Sequence, residues 1–206
     1  MKVKIEVFSH YLFEEHCKKD GLNDKNVENE RDKAFIDIIG TEECRKYYLN
    51  EDMKHYFNEH TNVINFDFDD IENDVIYNGH HFKTLRMEDA EKAIQFIETM
   101  INNGVTYFRI CCRAGMSRSR AVAEFIYRYC LENDIEVEYS DRNDYTTMLN
   151  SGVLRRLNHA YWKKHNLRQY EDGNTQYPRD LIDTPIRVIN RERNRDAWRL
   201  NENEVE

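Results

Sequence analysis

Residues 105–130 read VTYFRICCRAGMSRSRAVAEFIYRYC and constrain the fold more than any other stretch of the chain. Val105 to Ile110 is an apolar, β-branched run of the kind that forms a buried strand. It gives way to a short polar loop, and a helical face of Val122, Phe125, Ile126 and Tyr129 begins at once. Strand, tight loop and helix in immediate succession are the repeating unit of a sheet covered by helices. Ala114 and Gly115 inside the loop let its backbone curl tightly.

The rest of the chain repeats this alternation. Val3, Ile5 and Val7 alternate with Lys2, Lys4 and Glu6 as a half-buried strand, and Ser9 is placed to cap the helix that follows. The polar stretch from Asp20 to Asp32 reads as an exposed connection. A second strand, Ala34 to Ile39, stops at Gly40, and Thr41 can cap a short helix carrying Cys44, Tyr47, Tyr48 and Leu49. Val63 to Phe68 is a third strand, followed by an extended loop from Asn73 to Phe82. Glu88 to Ile101 sets Ala90, Ala93, Ile94, Ile97, Met100 and Ile101 on one side of a helix closed by Asn102-Asn103-Gly104. Glu132 to Asn143 is polar and acidic, with a short helical turn expected over Asp144 to Asn150. Ser151 reads as the N-cap of a last amphipathic helix bearing Val153, Leu154, Leu157, Ala160 and Tyr161. The expected fold class is α/β, a single domain with a central, mostly parallel sheet flanked by helices. It should occupy residues 1–170. Both prolines, Pro178 and Pro185, fall in the charged tail at 171–206, where Trp198 is the one obvious anchor and which is expected to be either disordered or docked on the domain.

The formal net charge of −9 argues against nucleic acid or an anionic membrane as partner, since no broad basic face is evident. Five cysteines, an odd number with no Cys-x2-Cys pair, read as reduced thiols and not as a zinc site. No apolar run reaches the length of a membrane span and the charged start lacks a signal-peptide core, so a soluble, cytoplasmic protein is expected. His10, His16, His55 and His60 show no ligand spacing and read as ordinary surface or packing residues.

The chemistry concentrates in the loop. Cys112 is followed after five residues by Arg118 and then Ser119. Successive backbone N–H groups of a tight turn, continued by the free N–H groups of a helix start, make a nest for a tetrahedral oxyanion. The same field lowers the pKa of a cysteine, and a planar guanidinium can grip two oxygens of the anion at once. The octet Cys112-Arg113-Ala114-Gly115-Met116-Ser117-Arg118-Ser119 resembles the C-x5-R-[ST] signature of the cysteine-dependent protein tyrosine phosphatases, most closely the dual-specificity type. The flanking strand and helix and the DAEKAIQFIETMINNG segment agree with it, so the resemblance spans about residues 63–157.

What the resemblance implies is a phosphatase that hydrolyses phosphotyrosine, and also phosphoserine or phosphothreonine, in proteins through a cysteinyl-phosphate intermediate, with no metal and no cofactor. Cys112 would be the nucleophile. Arg118 and the backbone from Arg113 through Ala114, Gly115, Met116 and Ser117 would bind phosphate, and Ser119 would hydrogen-bond the sulfur. A carboxylic acid on the loop after a neighbouring strand would protonate the leaving oxygen. Asp67, Asp69, Asp70 and Asp74 are available; Asp70 is favoured and Asp69 is the alternative. Asp70 stands 42 residues before Cys112, a longer separation than is usual in such enzymes. The chain departs from the family at Cys111, where histidine is usual; that change should tune the nucleophile and leave the chemistry in place. Cys111 reads plainly as a buried thiol on the strand; capture of an oxidised Cys112 by this neighbour is the redox alternative, and the strain of a disulfide between adjacent cysteines argues against it. Two alternatives stand beside the protein phosphatase: a phosphate-binding pseudophosphatase or interaction module, and a phosphatase for a non-protein ester such as an RNA end or a phosphoinositide.

Overall fold

A computed structural model describes residues 1–46, 53–139 and 149–165. The chain divides into a unit Met1–Tyr170 and a unit Glu171–Glu206, and the second lies outside the described residues, as do Tyr47, Tyr48, Leu49 and residues 140–148.

The first unit is α/β, with five parallel strands in one sheet. In chain order its elements are β1 (Lys2–Ser9), α1 (His10–Lys19), β2 (Lys33–Ile39), a single turn α2 (Glu42–Cys44), β3 (Val63–Asp67), a hairpin of β4 (Val75–Tyr77) and β5 (His80–Phe82), α3 (Met87–Asn102), β6 (Tyr107–Cys112), α4 (Arg118–Glu132), β7 (Glu136–Tyr139) and α5 (Ser151–His165). The sheet order is β3-β2-β6-β1-β7. The strand that leads into the loop after Cys112 is therefore inserted between β1 and β2, with Cys112 in register with Ser9 on one side and Ile38 on the other. Crevices at the carboxyl ends of such strands, where chain order reverses, are where ligands sit in this class of sheet.

Both faces of the sheet are covered, which is why β2 is buried from Ala34 to Ile39 without alternation. On one face, Ala34, Ile36, Ile38, Phe108 and Ile110 pack under α3, α4 and α5 through Ala90, Ile94, Ile97, Val122, Ile126, Leu154 and Leu157. On the other, Phe13 and Cys17 of α1 join Phe8, Phe35, Phe57, Val63 and Cys111. Phe13, Phe35 and Phe57 meet edge to face in the arrangement their ring quadrupoles favour.

Several local expectations change. The Asp20–Asp32 stretch is anchored by buried Leu22 and Val27, the latter opening a single 3-10 turn. The loop at 73–82 is a hairpin, because Asn78 and Gly79 both take positive φ (51° and 81°), the turn that matches strand twist. The polar stretch after α4 contains β7, whose Val137 and Tyr139 alternate with glutamates along the edge beside β1. The cap of α5 is Asn150, whose Oδ1 accepts from Val153 N at 3.0 Å, and Ser151 is already helical. Among the described residues no helix is long and apolar enough to cross a membrane.

Candidate active site

The loop Arg113–Ser117 is pinned from outside by its carbonyls. Arg113 O accepts from His10 N at 3.3 Å, Gly115 O from Arg120 Nε at 3.1 Å, and Ser117 O from Ala121 N and Asn150 N at 3.1 and 3.3 Å. Three of the five loop carbonyls are taken up by these donors, and Gly115 N–H closes a turn onto Cys112 O at 3.3 Å; a tight turn of this kind running into a helix start is the backbone shape from which anion nests are made. Gly115 is required twice over. Its φ is +70°, and a Cβ there would lie 2.6 Å from the backbone of Phe8 and Ser9, where β1 runs into α1. Arg120 is buried and braces the loop through that carbonyl.

Cys112 ends β6 with its sulfur 3.0 Å from Ser119 Oγ. Burial pushes its pKa up, but the charge of Arg118, the hydroxyl and N–H of Ser119 and the N–H of Gly115 outweigh burial and hold it below the ordinary thiol value. All five cysteines are free, and the contrast among them is sharp. Burial pushes Cys17 and Cys130 up to about 12 and Cys44 to about 11, and Cys111 goes well above its ordinary value. Among the five, Cys112 alone is held below the ordinary thiol value.

Arg118 opens α4 and is buried, with Nη1 donating to Phe68 O at 2.7 Å. Its Nε has no partner among the described residues. A buried guanidinium N–H without a partner is costly, and a tetrahedral oxyanion in the loop is the group that would satisfy it. The first turn of α4 likewise lacks a side-chain cap, because the hydroxyl of Ser117 is used elsewhere.

That hydroxyl donates to Asp70 Oδ1 at 2.6 Å, and the amide of Asn150 donates to the same oxygen at 2.8 Å. Asp70 is thereby held at the rim of the nucleophile loop, exposed to solvent. Asp69 points the other way. It is 2% exposed, and its carboxylate accepts from Thr41 N and Oγ1, both at 2.9 Å, and from Lys83 N at 2.8 Å. It closes the base of the β4–β5 hairpin and takes no part in the loop, and the hairpin itself accounts for the long separation from Cys112. Asp67 pairs with Arg45 and His55, and Asp74 accepts from Thr84 N, so neither faces the loop.

The adjacent cysteines lie on opposite faces of the sheet. Cys112 belongs to the core under α4, and Cys111 to the core under α1, where its thiol donates to Asp37 at 3.0 Å. Successive strand side chains point apart, so a disulfide between them does not fit this strand. Two histidines that the sequence offered as ordinary, His10 and His55, flank that same Asp37.

Beyond Asp69 from the loop, a cleft of about 440 Å³ is lined by Arg45, Lys83 and Arg86 and also by Glu42, Asp67 and Asp89. Its charges balance, so it lacks the field that would draw a phosphate, in contrast to the Arg118 loop. No group of histidine, cysteine, aspartate and glutamate among the described residues is arranged to hold a metal ion. Comparison of the chain with protein-family models, with curated proteins and with solved structures found nothing that matches.

Proposed function

We propose that the chain is a cysteine-dependent phosphatase of the protein tyrosine phosphatase type, acting on phosphotyrosine and on phosphoserine or phosphothreonine in proteins. The observation that carries this reading is the geometry at Cys112, whose sulfur lies 3.0 Å from Ser119 Oγ at the mouth of a braced loop, with buried Arg118 opening the next helix and keeping an unsatisfied Nε–H; the lowered pKa of the thiol agrees with it. A sulfur anion beside an oxyanion nest is the arrangement phosphoryl transfer to cysteine needs.

In the first step the Cys112 thiolate attacks phosphorus, forming the S–P bond as the P–O bond to the leaving group breaks. Arg118 and the loop N–H groups hold the three equatorial oxygens. Asp70, protonated, gives its proton to the departing phenol or alcohol. In the second step Asp70, now a carboxylate, takes a proton from a water that attacks the phosphorus. The S–P bond breaks, inorganic phosphate forms, and the sulfur leaves as a thiolate stabilised by Ser119. Ser117 and Asn150 support the role of Asp70 by fixing its carboxylate beside the loop.

Hydrolysis of a small aryl phosphate in EDTA between pH 5 and 8 tests the reading. Turnover by the wild type that vanishes in Cys112→Ser is expected. A wild type that is inert under reducing conditions yet binds tungstate would replace the enzyme with a phosphate-binding module.

A further inference from the structure

Asp37 lies in the middle of β2 and is 1% exposed. A carboxylate in such a place must be paired and hydrogen-bonded to be tolerated. Its Oδ1 accepts from Cys111 Sγ at 3.0 Å and its Oδ2 from Tyr56 N at 3.1 Å. Oδ2 also lies 3.2 Å from His55 Nδ1 and 3.6 Å from His10 Nε2. Each imidazole reaches a second carboxylate, His10 to Glu14 at 3.6 Å and His55 to Asp67 at 3.5 Å, and Asp67 is paired in turn with Arg45. The groups facing Asp37 are therefore His10, Glu14 and buried Cys17 from α1, His55 and Tyr56 from the segment before β3, Asp67 at the end of β3, and Cys111 from β6. Burial alone would raise the carboxyl of Asp37, but the close imidazoles of His10 and His55 keep it far below the usual carboxylate range. It is a buried carboxylate flanked by two imidazoles.

This cluster grips the backbone on both sides of the nucleophile. Cys111, which immediately precedes Cys112, is held through its thiol. Arg113, which immediately follows, is held by the backbone N–H of His10, the residue whose ring faces Asp37. The turn from Phe8 to His10 also seats Gly115. The residues on either side of Cys112 are thus each held, Cys111 through its thiol and Arg113 through its carbonyl.

We infer that Asp37, balanced by His10 and His55, is a positioning residue for the nucleophile loop, holding the strand end at Cys111 so that Cys112 stays aimed at the loop N–H groups and Arg118. The inference rests on the phosphatase reading for its purpose but not for its test, because the reactivity of the Cys112 thiol is measurable without turnover. Losing the hold on Cys111 lets the sulfur drift from the groups that stabilise its anion. Losing a histidine leaves the buried carboxylate uncompensated behind the sulfur. Both changes disfavour the thiolate.

The experiment is the rate of iodoacetamide alkylation at Cys112, read by peptide mass spectrometry from pH 5 to 9, for the wild type, Cys111→Ala, Cys111→Ser and His55→Gln. Cys111→Ala, which removes the donor to Asp37, is expected to slow alkylation at pH 6 about tenfold, the effect of one unit in thiol pKa. Cys111→Ser, which restores a donor, should return the rate to within about twofold of wild type by the same measure. His55→Gln, at the edge of the cluster, should slow it in the same direction as Cys111→Ala. A wild-type alkylation profile in folded Cys111→Ala would overturn the inference, and if that variant does not fold, a wild-type profile in His55→Gln overturns it. Loss of stability with unchanged Cys112 reactivity would make the cluster purely structural. Failure of the wild type to hydrolyse phosphate esters, with the expected alkylation pattern intact, would count against the phosphatase reading and not against this one.

Discussion

The side-chain amide of Asn150 donates to Asp70 Oδ1 at 2.8 Å while its own Oδ1 accepts from Val153 N, so one residue both caps α5 and holds an acid beside the nucleophile loop. Its Nδ2 also reaches Ile71 O at 3.4 Å, and its backbone N–H donates to Ser117 O. The two jobs can be separated. Asn150→Asp keeps an acceptor for the cap, loses the donor and sets a like charge beside Asp70. It should keep the melting temperature within a few degrees of wild type and lower kcat for an alkyl phosphate roughly tenfold, a modest part of what a positioned acid contributes. Asn150→Ala should lose the cap as well, at about 1 kcal/mol. Steady-state kinetics beside thermal melts of both variants check this.

The two neighbouring aspartates should fail in different ways. Asp70→Asn should lower kcat by about 10²-fold or more, with the larger loss on substrates whose leaving group is a poor one, and should barely move stability. Asp69→Asn should do the reverse. Its buried carboxylate accepts three hydrogen bonds, and an amide there turns a donor toward donors, which should cost about 2–3 kcal/mol. Urea unfolding set against a leaving-group series separates the two.

Gly115→Ala should abolish activity and destabilise the unit together. The added methyl meets backbone atoms at 2.6 Å, and backbone can yield only by moving the loop or the β1–α1 turn. A cost of about 2 kcal/mol or more is expected from the φ of +70° and the overlap combined. Phosphate or tungstate binding by calorimetry, alongside the melt, checks that the cradle itself is lost.

His55 links stability to pH. Burial would lower its pKa, but the carboxylates of Asp37 and Asp67, 3.2 and 3.5 Å from its ring nitrogens, raise it to about 9. A histidine whose folded pKa is raised contributes stability that is fully present below its unfolded value, near 6.5, and lost as pH rises through the folded value. The gap in melting temperature between wild type and His55→Gln should therefore be widest at about pH 6 and shrink by several degrees towards pH 9.5. A gap that stays constant across that window would mean that His55 is neutral against Asp37.

Much of the scaffold could be read from residue periodicity. The buried side of α3 is the six apolar residues that recur at helical spacing from Ala90 to Ile101, joined by Glu98, and β1 shows its burial in the alternation of Val3 and Ile5 with lysines. Cys112, Arg118 and Ser119 lie within eight residues, so local order was enough to bring them together. What escaped is what depends on distant partners. His10 and His55 carry no signal of their own, because their meaning comes from Asp37 on a separate strand. Asp69 and Asp70 are alike as residues, and only Thr41 and Lys83 on one side and Ser117 and Asn150 on the other tell them apart. The Asn78-Gly79 turn and the alternation in β7 were local signals that lay within polar surroundings, where hydrophobic patterning is weakest.

In the proposed mechanism phosphorus passes through sulfur at Cys112. The decisive measurement is a rapid quench of Asp70→Asn and a small aryl phosphate into alkaline denaturant, where an S–P bond survives, followed by peptide mass spectrometry at neutral to alkaline pH, because an aryl leaving group departs with little help while the water step lacks its base. A burst of phenol and a phosphorylated peptide whose modification maps to Cys112 are expected. Turnover by the wild type with no phosphate on Cys112 at any quench time, or activity that survives in Cys112→Ser, would contradict that mechanism.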